Sequence, residues 1–197
     1  GVELLAEATW IPQGETRFTV GGGLASDWID SSNLGNHRYR RGSFFAELQQ
    51  PLGANLVIYP GFRFDGYSDF GSNFSPSLSA LWWISPQVKV RASSSRGYRV
   101  PSFTERFYTD PNHQAVSELA PERSLGFEAG ADWILKDGLM VSATGFLRRE
   151  TDVIDWLRPD PSVRWHTANV HRIDTKGMEW ALTSRLMERL RLTAQYG

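Results

Sequence analysis

The residues with the greatest potential for chemistry lie close together in one segment of the chain. Asp110, His113 and Glu118 are oxygen and nitrogen donors that could bind a metal ion. Their spacing matches neither the repeating acidic pattern of a calcium loop nor the paired ligands of a zinc motif. Asp110 is followed by Pro111, a pair that favours a turn. The sequence therefore predicts no metal site here and implies no cofactor.

Nucleophilic and phosphate-transfer chemistry lack the motifs that would support them. No serine lies in the strained Gly-x-Ser-x-Gly turn that exposes a hydrolase nucleophile. The glycine run 21–23 falls inside a segment typical of a strand and does not precede a helix, so it indicates close approach of backbones and no phosphate loop. No catalytic residue is predicted, and the chain is expected not to be an enzyme.

Composition narrows the class of protein. The chain has 197 residues, a formal net charge of -1 and 41% hydrophobic residues, which suits one domain or part of one and gives no basic field for nucleic acid. It contains no cysteine, so disulfides and thiolate metal sites are excluded. No apolar run reaches the roughly 18 residues of a transmembrane helix, but strands that cross a membrane alternate and need only about 10 residues each.

Apolar and polar residues alternate with a period of two along most of the chain. In the first segment Leu4, Ala6 and Ala8 share one face while Glu3 and Glu7 share the other. This pattern predicts about ten antiparallel strands. The segments are 2–10, 18–27, 43–49, 55–65, 78–82, 88–93, 124–133, 141–147, 178–186 and 190–196.

The predicted connections alternate between tight turns and longer loops. Tight turns are expected at 12–15, 51–54, 85–87, 136–138 and 187–189, and long connections around 31–38, 66–75, 99–121 and 157–163. An outer-membrane barrel has short periplasmic turns and longer extracellular loops, whereas a soluble sheet has no reason to sort its loops by length. The sorting therefore favours a transmembrane barrel, with a soluble antiparallel β-sheet binding domain as the alternative.

Aromatic residues fall near the predicted strand ends. One set lies beside the tight turns and another toward the long loops, as in the two interfacial girdles of a membrane barrel. The first set is Trp10, Trp82, Trp83 and Trp133, and the second is Trp28, Tyr67, Phe70, Trp156 and Trp165.

Several stretches resemble the β-barrel of TonB-dependent outer-membrane receptors, the family of siderophore and cobalamin transporters. They read PGFRFDGYSDFGSNFSP at 60–76, RGYRVPSFTERFY at 96–108, ELAPERSLGFEAG at 118–130, and TGFLRRETDVIDW at 144–156 followed by TKGMEW at 175–180. Their order and spacing along the chain are also similar to the family's. The resemblance implies that residues 1–197 are an internal part of a barrel of about 22 strands, without its plug domain and C-terminal strands.

The same resemblance implies a function and partners. A receptor of this family takes up a scarce large ligand, a ferric siderophore, haem or cobalamin, across the outer membrane of a Gram-negative bacterium. Its partners would be outer-membrane lipid, the ligand, and TonB through the plug and coupling box, with no nucleic acid. The remaining alternative is a small outer-membrane barrel protease of about ten strands using Asp110 and His113.

Candidate ligand contacts follow from the long loop and its neighbours. Aromatic and hydrogen-bonding side chains on extracellular loops suit reversible capture of such a ligand. The candidates are Arg99, Phe103, Arg106, Phe107, Tyr108, Asp110, Asn112 and His113, joined by Tyr67, Phe70, Trp156 and Arg158 from neighbouring loops.

Overall fold

The computed structural model describes residues 1–12, 14–136, 138–187 and 190–197. Ten long strands and one short strand occur in these residues. They are β1 (Val2–Trp10), β2 (Arg17–Ser31), β3 (Gly35–Leu52), β4 (Leu56–Tyr67), β5 (Gly71–Ser85), β6 (Val88–Arg99), β7 (His113–Gln114), β8 (Glu122–Lys136), β9 (Leu139–Leu157), β10 (Trp165–Met187) and β11 (Leu190–Tyr196). One short helix, α1, spans Phe103–Phe107.

The long strands form one antiparallel meander. Their order in the sheet is β1-β2-β3-β4-β5-β6-β8-β9-β10-β11, so each pairs with the next long strand in the chain. The short β7 is off this path and pairs parallel to the start of β10. The prediction of an all-β meander of about ten strands is therefore confirmed. Among the described residues, no helix is long and apolar enough to cross a membrane.

Several strands extend further than alternation predicts. Residues 32–34 and 68–70 are three-residue turns between paired strands, so the long connections predicted around 31–38 and 66–75 are wrong. At these strand ends the regular alternation stops, as where Ile29 follows Trp28 on β2, although backbone pairing continues. The connections that are long at this end are 100–121 and 158–164. The tight turns predicted at 12–15, 136–138 and 187–189 include positions outside the described residues.

The strand register sorts side chains onto two chemically different faces. On one face Phe44, Phe64 and Phe74 lie side by side across three strands, and all three are exposed. Trp82 and Trp133 belong to the same face at the opposite end of the strands. A row of exposed large apolar side chains is stable only against another apolar medium. We call this side the apolar face.

The opposite side, which we call the polar face, carries the charged residues. Asp132 is 8% exposed and accepts from the Arg91 Nη1 at 2.6 Å and from the Lys89 ammonium at 2.9 Å. Asp65 is 5% exposed and pairs with Arg63 across 2.8 Å. A carboxylate largely removed from water requires such partners. Within the described part of the chain, no buried side-chain nitrogen or oxygen lacks a hydrogen-bond partner.

The apolar face has the height of a membrane. On β9 it runs from Leu139 to Leu147, after which Arg149 is the next residue on that side. This stretch of nine residues matches the roughly 9–11 residues with which a tilted strand crosses the hydrocarbon layer.

Neighbouring residues on one strand allow the two faces to be compared directly. Ala92→Arg places a charge in the middle of the apolar face, and Ser93→Arg places it on the polar face opposite Glu128. We expect Ala92→Arg to lower the free energy of unfolding in lipid vesicles by about 2–4 kcal/mol and Ser93→Arg to change it little. Denaturant titration followed by heat-modifiable gel mobility measures both. Equal losses would contradict the assignment of faces.

Candidate functional site

The segment 100–121 between β6 and β8 folds across the polar face of the sheet. One part of it contacts β3 and the turn at 68–70, and the other contacts β9 and β10. We call this segment the crossing loop. It brings together residues that are far apart in sequence, among them most of the predicted ligand contacts.

The crossing loop begins with helix α1, whose start is fixed by a capping box. The Ser102 hydroxyl accepts from the Glu105 backbone N–H, and the Glu105 carboxylate accepts from the Ser102 backbone N–H at 2.7 Å. These two contacts satisfy donors that a helix N-terminus otherwise leaves unpaired. Pro101, immediately before, is fully buried. The Ser-x-x-Glu spacing is the sequence signal by which this helix could have been predicted.

Arg99 joins the start of the loop to its end. Its guanidinium donates to Glu105 at 2.9 and 3.0 Å and to Glu122 at 2.5 and 2.6 Å. Burial raises the pKa of Glu105, but the hydrogen bonds from Arg99 and Ser102 lower it more, so this pKa lies below its ordinary value. Arg99, predicted as a ligand contact, therefore has both of its guanidinium edges engaged by carboxylates of this chain.

Arg106 attaches α1 to the polar face of β3. It donates to the Ser117 carbonyl at 2.7 Å and to the Tyr39 hydroxyl at 3.0 Å, and its guanidinium lies 5.1 Å from the centre of the Phe70 ring. Tyr39 is 9% exposed and also stacks on Phe103, with ring centres 4.4 Å apart. Cation–π and stacking contacts of this kind favour one fixed position of the helix.

Further aromatic pairs extend this packing. Phe107 stacks on His37 with ring centres 3.5 Å apart and an interplanar angle of 6°. Tyr67 contacts Phe70 and Tyr98 at 6.3 and 5.8 Å. Phe70 also lies against Arg106 and so contributes to the contacts of the loop with the sheet, whereas Tyr67 packs beside Phe70 and Tyr98. The predicted place of both residues in an outward girdle is wrong, because Tyr67 shares the polar-face parity of Asp65 on β4 and Phe70 packs on Tyr39.

Asp110 organises the next turn of the crossing loop. Its Oδ1 accepts from the backbone N–H groups of Asn112 and His113 at 2.7 and 2.6 Å, and its Oδ2 accepts from the Tyr108 hydroxyl at 3.0 Å. The His113 Nδ1 lies 2.9 Å from the Oδ1. Desolvation of the carboxylate raises its pKa, but these hydrogen bonds outweigh it and hold the pKa of Asp110 at about 2. The turn expected from the Asp-Pro pair is present.

Tyr108, His113 and Trp156 form an aromatic cluster beside this turn. The Trp156 ring is edge-on to His113 at 5.3 Å and to Tyr108 at 6.3 Å. All three side chains are half-buried. Trp156 thus contacts the crossing loop, and its predicted place in an outward girdle is wrong. We call these three residues the aromatic cluster.

Backbone pairing and two polar side chains anchor the second half of the loop. The Trp165 backbone N–H donates to the Asn112 carbonyl at 2.8 Å, next to the β7–β10 pair. Thr167 is 1% exposed and accepts from the Val116 N–H at 2.7 Å. The Asn169 amide exchanges two hydrogen bonds with the Ala120 backbone and donates to the carbonyl of Asp152, a non-glycine residue with a φ of 56°. An amide that bridges two segments fixes their separation.

Two predicted contacts remain open at the surface. Asn112 is exposed at the tip of the Asp110 turn. Arg158 is exposed in the connection 158–164, where it donates to the carbonyls of Val163, at 3.1 Å, and Pro161. Arg164 of the same connection reaches the Asp110 carbonyl at 3.4 Å.

The structure brings the predicted residues together in two groups. Phe103, Arg106, Phe107, Tyr67 and Phe70 pack against β3, whereas Tyr108, Asp110, Asn112, His113 and Trp156 gather on the side of β9 and β10. Sequence reasoning did not identify His37, Tyr39, Thr167 or Asn169, which receive the loop. These four residues lie at strand ends, beyond the segments in which apolar and polar residues alternate, so the alternation could not identify them. Among the described residues, no group of three or more His, Cys, Asp or Glu side chains could bind a metal ion.

The Asp110 turn is expected to depend on pH. Because the pKa of Asp110 is about 2 against an ordinary 3.8, its contribution is fully present above about pH 4 and is lost as the pH falls through about 2. Hydrogen exchange at the amides of Asn112 and His113, corrected for intrinsic rates, should show protection falling over that range. Asp110→Asn should show weaker protection with little pH dependence, and the amides of Ala92 and Ala129 should stay protected. Constant protection in the unmodified protein would contradict this.

The chain is similar in sequence and in structure to known receptors and transporters. The chain is 27% identical to the ferrienterobactin receptor of Escherichia coli over 53% of the chain and 16% of that protein. It is 26% identical to the vitamin B12 transporter BtuB of Photobacterium profundum over 59% of the chain and 19% of that protein. The crystal structure of the siderophore receptor PirA from Pseudomonas aeruginosa superimposes with a TM-score of 0.84 and 24% identity, over 98% of this chain and 40% of PirA.

The matched part is between 16% and 40% of the length of these proteins, so the chain spans a minority of their length. The family model described as TonB dependent receptor-like, beta-barrel matches residues 4–197. The antiparallel meander and its apolar and polar faces are the structure that a β-barrel of this kind requires. The chain belongs to the TonB-dependent receptor β-barrel family.

Proposed function

We propose that this chain forms barrel wall and extracellular ligand-binding loops of a TonB-dependent transporter in the outer membrane of a Gram-negative bacterium. The observation that carries the proposal is the family match over residues 4–197. The ligand is a ferric siderophore, haem or cobalamin, and energy reaches the receptor through TonB acting on a plug domain. The family is one of receptors and not of enzymes.

Transport is tested in cells that lack their own receptor. The full-length receptor is expressed in an iron-limited strain fed with ferric enterobactin or haem, and in a cobalamin-requiring strain fed with cyanocobalamin. We expect growth on one of these ligands, and no growth when TonB is deleted. Growth on none of the three with a folded receptor at the cell surface, or growth that persists without TonB, would overturn the proposal.

Within the wall, the aromatic cluster is the proposed ligand surface. Tyr108, His113 and Trp156 present half-buried rings at the mouth, next to the exposed Asn112 and Arg158. Siderophores with aromatic rings, haem and cobalamin all offer flat or negatively charged groups that suit aromatic rings and guanidinium groups.

The remaining predicted contacts are proposed to position this surface. Arg99 is engaged by two carboxylates, and Arg106 by Tyr39 and the Ser117 carbonyl. Phe103, Phe107, Tyr67 and Phe70 pack on aromatic partners, and Asp110 orders its own turn. A side chain whose polar atoms are already paired binds a ligand only by giving up those contacts.

Two substitutions distinguish a residue that contacts the ligand from one that holds the crossing loop in position. In the full-length receptor, Trp156→Ala should weaken binding of the transported ligand by roughly 10-fold, about 1.4 kcal/mol, without changing the rate at which chymotrypsin cleaves the crossing loop. Arg106→Ala should weaken binding and also speed that cleavage, because α1 loses its attachment to β3. Binding is measured by intrinsic fluorescence titration.

The matched control for Trp156 is Trp28→Ala, which removes an exposed tryptophan from the apolar face of β2. Its affinity should equal that of the unmodified receptor. If Trp156→Ala binds as tightly as this control, the aromatic cluster is wall and not binding surface.

A further inference from the structure

The apolar face of β5, β6, β8, β9 and β10 contains two adjoining grooves. The larger has a volume of about 750 Å³ and is walled by Leu78, Phe127, Leu147 and Met178. The smaller has a volume of about 350 Å³ and lies beside Arg149, Asp174 and Lys176. Phe127, Leu147 and Lys176 line both, so the two grooves form one continuous depression that is apolar at one end and charged at the other.

Positive charge exceeds negative charge at the charged end. Asp174 accepts from Arg149 at 3.1 Å and also from Arg172, so one carboxylate serves two guanidinium groups. Within the residues that the structure describes, no carboxylate lies within 4 Å of the Lys176 ammonium. The side chains of Arg149 and Arg172 are 57% and 50% exposed. Three cations with one anion leave this end able to accept a doubly negative group.

The strand register places these charges at the height of lipid headgroups. Lys176 pairs with Leu147 in the last row of the apolar face, Asp174 pairs with Arg149 in the next row, and Arg172 pairs with Thr151 beyond it. Cations directly outside an apolar band meet the phosphates of the adjoining leaflet. The groove below them faces the acyl chains.

We propose that this depression is a binding site for a membrane lipid with a phosphate headgroup. The phosphate lies on Arg149, Arg172 and Lys176, and an acyl chain lies in the larger groove, which Leu78, Phe127, Leu147 and Met178 line. Charge complementarity selects the headgroup, and the continuity of the two grooves requires both parts in one molecule. The site is on the outside of the wall, so it is separate from the ligand surface at the mouth.

The test uses the full-length receptor in detergent and native mass spectrometry with three probes. These are dioctanoyl phosphatidic acid, dioctanoylglycerol and inorganic phosphate. We expect phosphatidic acid to bind at least roughly 10-fold more tightly than dioctanoylglycerol, and inorganic phosphate not to displace it. The charge variant Arg149→Gln with Lys176→Gln, and the groove-filling variant Ala129→Leu, should each weaken phosphatidic acid binding by roughly 5-fold or more. Arg149→Lys with Lys176→Arg should retain it.

The matched control removes two exposed cations of the same face elsewhere, Arg38→Gln with Arg40→Gln on β3, and should leave binding unchanged. Heat-modifiable gel mobility establishes that each variant is folded, and Ala92→Leu replaces Ala129→Leu if the latter is not. Equal loss in the β3 control would show that the cations attract any lipid phosphate without a site. Displacement by inorganic phosphate, equal binding of dioctanoylglycerol, or receptor dimers in place of lipid adducts would also overturn the proposal.

Discussion

The strand register is the constraint on which the rest of this structure depends. Because side chains alternate strictly along a strand, pairing ten long strands in register assigns every residue to one of two faces. A slip of one residue between β8 and β9 would move Arg149 and Leu147 to the polar side and bring Arg148 and Glu150 to the apolar one. The buried carboxylates Asp65 and Asp132, each beside its own cations, reinforce the same register from the polar face. The apolar residues that face lipid and the ion pairs of the polar face therefore specify the same strand register.

The crossing loop is stabilised by a different kind of contact from the sheet that forms the wall. The wall is stabilised by continuous backbone pairing, whereas the loop has only the short β7–β10 pair and individual side-chain contacts: Arg99 with two glutamates, Arg106 with Tyr39, and Asn169 with Ala120. Of these, the exposed ion pairs of Arg99 each contribute only about 0–1 kcal/mol. The loop therefore has a defined position that depends on separate contacts with several strands.

The wall could be predicted from the sequence, and the packing of the loop could not. Alternation located the ten long strands because lipid on one side and water on the other impose it, as at Phe62 and Arg63 or Leu147 and Arg148. It failed at 32–34 and 68–70, where lipid no longer covers one face and Tyr39 and Phe70 pack against the crossing loop. The candidate residues were predicted from their chemistry, but their partners His37 and Tyr39 lie 61 or more residues before the start of the loop at residue 100, and no periodic pattern identifies them. Within the loop, the Asp110-Pro111 pair predicted a turn, and the Ser-x-x-Glu spacing of Ser102 and Glu105 is the signal of the capping box.

The aromatic residues show why composition alone misplaces a side chain. Trp82 and Trp133 lie on the apolar face, where an indole at the membrane boundary is stable. Trp156 has the same chemistry and a similar distance from a strand end, but its position in the register puts it on the polar face beside His113. On the polar face Trp156 is not in contact with lipid, so it packs against the crossing loop and remains partly exposed to solvent. The same residue type therefore occurs in two environments, and the parity of a single strand position decides whether the indole lies at the membrane boundary or against the crossing loop.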